Sequence, residues 1–168
     1  MAEPMTVEET TYPTVCGPED PDGLSCLMAQ TARGHRVLLA GLLAEIDLYP
    51  GQDRALSALW ENGPQSQNAL ARILGIDVST MTKMLQRLER SGFVSRSPSP
   101  ANRRISIVST TPAGDALRPE VERVATELHR RMTRGLSSEQ VGTLLSLLGV
   151  VRENVCPEAA SDEGSCAF

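Results

Sequence analysis

Residues 67–104 constrain the fold more than any other part of the chain, because they read as two short helices around a tight turn, running into a basic hairpin. Ser66 is placed to cap the first helix and Asp77 the second, since their side-chain oxygens accept from the N–H groups that a helix start leaves unpaired. Ala71 is small where two helices must approach closely, and Gly75 supplies a positive φ for the turn at no steric cost. Met81, Met84 and Leu85 return apolar side chains toward the first helix. Ser79, Thr80, Thr82 and Lys83 then face outward with hydrogen-bonding groups, as a helix entering a DNA major groove requires. An ordinary helical hairpin with a polar outer face gives the same pattern, so the segment that follows carries weight.

That segment starts at Gly92, a helix-ending glycine, and continues as a short strand over residues 93–96. Residues 97–102 are a loop by composition, and residues 105–109 begin with strand-like alternation. Arg103 and Arg104 sit side by side at the loop tip. Adjacent arginines there repel one another and bury nothing, which points to an anionic partner such as a narrow minor groove. A solvated surface loop is the competing reading.

Leu-Glu-Arg-Ser-Gly-Phe-Val-Ser-Arg (88–96), then Asn102-Arg103-Arg104, then Ser-Thr-Thr-Pro-Ala-Gly (109–114), resembles the winged-helix signature of MarR-type transcriptional regulators. The resemblance spans roughly residues 24–155. It implies a mainly α fold with a small β wing: a winged helix–turn–helix reader joined to helices that intertwine with those of a second subunit. It places the family's minor-groove arginine on Arg104. Two positions depart from the pattern: Asn102 stands where the family usually has an acidic residue to orient that arginine, and Ser109 where it usually has Leu.

The net charge of −5 argues against a DNA partner until it is divided along the chain. Residues 54–118 hold nine Lys and Arg against four Asp and Glu, while residues 1–23 hold six acids and no base. Nucleic-acid binding depends on where positive charge sits more than on its total. The expected organisation is a disordered acidic tail over 1–23, helical dimerisation segments over 24–48 and 112–156, a reader over 49–111, and a second tail over 157–168. One long helix is expected from Leu24 to Leu48, broken by Tyr49-Pro50-Gly51, and a short one from Asp53 to Glu61. Thr111-Pro112 is a strong helix start, with a bend expected at Pro119. Gly135 interrupts that helix, and residues 137–140 form a capping box for a last one with Val141, Leu144, Leu145, Leu148, Val151 and Val155 apolar. These terminal helices are more apolar than so small a reader could bury, which with the resemblance implies a homodimer on a pseudo-palindromic operator.

Base contacts are assigned to Ser79, Thr80, Thr82 and Lys83, and phosphate contacts to Gln67, Arg72 and Arg87. Arg103 and Arg104 are the wing contacts. Cys16, Cys26, Cys156 and Cys166 lie at the chain ends. No signal peptide or apolar run of about 18 residues is present, so a cytoplasmic location without membrane contact is expected, with cysteines reduced. Cys26 resembles in position the reactive cysteine of the family's peroxide-sensing branch, with Cys156 as a conceivable partner across a dimer. A small-molecule inducer is the family's commonest signal, and His35, Arg36 and Trp60 are candidate lining residues. The histidines, His35 and His129, form no short-spaced ligand pair, and no cofactor or metal is expected. No catalytic triad or phosphate-cradling loop appears, so an enzyme is not expected. The alternative to a DNA reader is a winged-helix module that binds protein, which would favour an apolar second helix and a wing without arginines.

Overall fold

The computed structural model describes residues 23–100, 102 and 105–156. It is mainly α with one small sheet: α1 (Gly23–Ala44), α2 (Gln52–Asn62), β1 (Gln65–Ser66), α3 (Gln67–Leu74), α4 (Val78–Arg90), β2 (Val94–Pro98), β3 (Ser106–Thr110), α5 (Pro112–Ala116), α6 (Arg118–Met132) and α7 (Ser138–Val155). The chain divides into two compact units, Met1–Val37 and Leu38–Phe168, with α1 running through the boundary. In the first unit the described residues are the start of α1, where Leu24, Leu27 and Val37 are exposed.

The core belongs to the second unit. Leu42, Leu43 and Leu48 meet Leu56 and Leu59 of α2, Leu70 and Leu74 of α3, Met81, Leu85 and Leu88 of α4, and Val94 and Val108 of the sheet. The first long helix ends at Ala44 rather than Leu48. Asp47 takes the left-handed conformation at φ 56°, with its N–H on Ala44 O and the Leu48 N–H on Leu43 O. That pairing closes a helix as a glycine would, and it buries Leu48 against Leu43.

α3 and α4 form as their caps dictate. The Ser66 Oγ accepts from Ala69 N, Asp77 accepts from Thr80 N, and Gly75 turns the chain at φ 64°. Gly92 closes α4 at φ 75°, its N–H on Glu89 O. The hairpin is β2–β3, paired from Val94↔Thr110 to Pro98↔Ser106. A third strand, absent from the sequence reading, completes the sheet: β1 lies antiparallel on the other edge of β3, with Ser66 opposite Ile107. The residue that caps α3 is thereby also a sheet residue.

Thr111 caps α5 as expected, but the bend foreseen at Pro119 is a break at Leu117 between two helices. Proline has no N–H and its ring clashes with the carbonyl four residues back, so it is tolerated in the first turn of α6 and not within a continuous helix. Gly135 lies at φ 88°, and Ser137 and Gln140 form the capping box that opens α7. No residue of α7 is buried; Leu145, Leu147 and Val155 are 66%, 60% and 68% exposed.

Candidate nucleic-acid interface

Burial of Met81, Leu85 and Leu88 fixes which way α4 faces, because these positions share one side of a helix. Ser79, Thr80, Lys83 and Arg87 are exposed, as is Arg72 on α3. Four of the residues assigned to DNA thus lie on exposed positions of one helix.

Asp77 organises the start of that helix. Its carboxylate accepts from Thr80 N at 2.8 Å, from the Ser79 hydroxyl at 2.5 Å and from the Thr80 hydroxyl at 2.6 Å. These hydrogen bonds, led by that from Ser79, hold the Asp77 carboxyl far below the usual carboxylate range.

Thr82 and Gln67 are engaged differently. Both are half-buried, and the Thr82 hydroxyl donates to Val78 O at 2.7 Å while accepting from Gln67 Nε2 at 2.7 Å. The other end of Gln67 faces Arg96 on β2: Arg96 Nη1 donates to Gln67 Oε1 at 3.4 Å, and Nη2 to Thr82 O at 3.5 Å. Arg96 Nε is buried, 3.3 Å from Glu89 Oε2, within ion-pair range but without hydrogen-bond geometry. One guanidinium therefore connects α3, α4 and the wing. Its role escaped the sequence reading because its partners Thr82 and Gln67 lie 14 and 29 residues away.

Arg87 stacks over the Tyr49 ring with its guanidinium carbon 5.7 Å from the centroid, which gives a long cation a preferred direction. A hollow of about 460 Å³ beside it is lined by Asp47, Tyr49, Gln52, Arg87, Arg90 and Ser91. Arg103 and Arg104 lie outside the described residues, and Asn102, between Pro100 and β3, is exposed.

The sensing candidates lie on two elements, α1 and α2. His35 is half-buried and Arg36 exposed on the first unit's part of α1. Trp60, on α2, packs against the core, and its indole N–H is buried with no partner among the described residues. The expectation of reduced cysteines is corrected: Cys26 and Cys156 are both disulfide-bonded. Burial is not the reason, since each is only half-buried; the bonds arise because the paired sulfurs come within bonding reach, which spacing along the chain does not reveal. Among the described residues no group of three or more His, Cys, Asp or Glu could hold a metal ion, and no helix is long and apolar enough to cross a membrane.

The helix pair, the three-stranded sheet and the flanking helices define a winged helix–turn–helix protein. The family model for MarR matches residues 48–106. The multiple antibiotic resistance protein MarR of Salmonella typhimurium is 31% identical over 112 residues, covering 66% of this chain and 78% of that protein. The HTH-type transcriptional repressor IacR of Pseudomonas putida is 34% identical over 114 residues, 68% of each chain. Among solved structures, a mutant MarR from E. coli complexed with operator DNA matches with a TM-score of 0.69 at 28% identity, over 76% of this chain and 92% of that one. A probable transcriptional regulator from Pseudomonas aeruginosa matches with a TM-score of 0.69 at 32% identity, over 76% and 96%. The chain belongs to the MarR family of transcriptional regulators.

Proposed function

We propose that the protein is a homodimeric, sequence-specific DNA-binding regulator, a repressor released by a small-molecule or oxidant signal. In this reading α4 enters the major groove of a pseudo-palindromic operator, and Arg104 of the wing reaches the adjacent minor groove. The observation that carries it is the exposed polar face of α4, held outward by three buried apolar residues, in a fold shared with a MarR complexed with operator DNA. Lys83 and Thr80 are assigned to bases, and Arg72 and Arg87 to phosphates, where they add affinity and salt dependence but little sequence information. Ser79 joins the base contacts, whereas Gln67 and Thr82 act from within the reader by holding each other and Arg96. The homodimer is supported by α7, none of whose apolar residues is buried and most of which are exposed. The disulfides at Cys26 and Cys156 give the oxidant arm a physical handle.

The test is a mobility-shift titration of DNA from upstream of the protein's own gene, with oxidised and thiol-reduced protein side by side. Retarded DNA, lost in Arg104→Ala with the fold retained, is the expected outcome. A shift that changes with thiol identifies the oxidant arm, and one that does not identifies the small-molecule arm. Failure to retard this DNA or any duplex from a random library refutes the DNA-binding reading.

A further inference from the structure

The polarity of the recognition helix can be read one step further, and the step rests on the DNA-binding reading. An ionised carboxylate only accepts hydrogen bonds. The contacts of Asp77 with the Ser79 and Thr80 hydroxyls, at 2.5 and 2.6 Å, therefore fix both hydroxyl protons on Asp77. What Ser79 and Thr80 have left to offer a groove is oxygen lone pairs. Thr82 contributes no donor either, because its proton is committed to Val78 O. The next exposed polar side chain along α4, Lys83, carries donors and no acceptor. The leading edge of the helix is thus ordered as acceptors first and a donor second.

The geometry points to Asp77 as a specificity-positioning residue: by taking the protons of Ser79 and Thr80 it makes them read an exocyclic amino group, adenine N6 or cytosine N4, in each half-site. Those two amino groups are the donors of the major groove, while guanine O6 and N7 and thymine O4 are acceptors. Against an acceptor the Ser79–Thr80 edge would set lone pair on lone pair with no proton between them, and the base would lose its water without replacement. Lys83 can take the neighbouring acceptor, so the edge suits an amino-bearing base followed by guanine N7 or O6. A hydroxyl free to rotate would specify weakly, because it pairs with either kind of group. The same hydroxyl tied to Asp77 specifies one kind.

The experiment uses the full-length protein and duplexes it selects from a random library. Each cytosine or adenine of the selected half-site is replaced in turn by its analogue without the exocyclic amino group, 2-pyrimidinone or purine deoxynucleoside. Wild type is expected to lose about 10-fold in affinity at one position per half-site, the usual scale for one misread pair. The Ser79→Ala/Thr80→Val double variant is expected to be indifferent at that same position, and which analogue acts distinguishes cytosine from adenine. Asp77→Asn keeps a capping side chain but adds donors, releasing a hydroxyl proton, so its selected sites are expected to gain guanine or thymine there. If wild type and the double variant respond alike at every position while selection stays sequence-specific, the acceptor edge is overturned and DNA binding stands. If no duplex is enriched, DNA binding falls and this assignment with it.

Discussion

Gly114→Ala sets two opposing effects against each other at one position. Gly114 is the third residue of α5, and a Cβ there would lie 2.0 Å from the carbonyl oxygen of Phe93 and 3.0 Å from its carbon. These are backbone atoms, and the same oxygen accepts from Thr111 N at 3.1 Å, so it cannot swing away as a flexible side chain could. Relief requires α5 and the start of the wing to move apart. Forcing a methyl into a packed site costs about 1–3 kcal/mol, and the strained Thr111–Phe93 hydrogen bond is worth about 1 kcal/mol. Against this, alanine gains at most about 1 kcal/mol in helix propensity. The net destabilisation is about 1–3 kcal/mol, which lowers Tm by roughly 2–12 °C for a chain of this size. Gly41→Ala is the control: it lies within α1 with nothing near its would-be Cβ, so propensity acts alone and Tm should rise by a few degrees. Thermal unfolding by circular dichroism reads both. A Gly114→Ala protein as stable as wild type would refute the argument, since it would show that Phe93 yields without cost.

Three further outcomes are expected. Glu127 is held down to about pKa 2 by hydrogen bonds from Arg130 and then Arg131, from an ordinary 4.5; a depressed acid stabilises above its unfolded pKa, so the Tm advantage of wild type over Glu127→Gln should be full above pH 4.5 and vanish by about pH 2 in acid melts. Leu145→Glu places a charge on the open face of α7 and should convert dimer to monomer in sedimentation velocity without unfolding the reader, whereas an unchanged dimer would remove α7 from the interface. Ser66→Ala removes the oxygen that accepts from Ala69 N and should cost about 1 kcal/mol in urea unfolding; a value near zero would mean that β1 pairing alone holds the start of α3.

The reader was legible where its signals are local. Ser66, Gly75, Asp77, Gly92 and Thr111 act on neighbours within four residues or through their own φ, and the structure puts each to the expected use. Signals that need a distant partner were not. β1 is two residues long and pairs with a strand some forty residues on, so no periodicity marks it. Asp47 does at the end of α1 what glycine usually does, whereas Tyr49-Pro50-Gly51 is the stop that the sequence displays. Thr82 looked like a groove contact by spacing, and its half-burial follows from Gln67 and Arg96 arriving from other elements. Cysteine pairing depends on three-dimensional approach and left no trace in spacing.

The two residues of β1 carry a consequence out of proportion to their length. They pair with β3, the central strand of the sheet, and the second of them caps α3. Adding one residue between Ser66 and Gln67 would part the strand from the helix, so that Ser66 could keep its place opposite Ile107 or its bond to Ala69 N but not both. The wing tip, whose loop ends a hairpin, can lengthen without that conflict. Variation in the reader therefore has one permissive door and one closed one: length can change between β2 and β3, but not at the junction of β1 and α3.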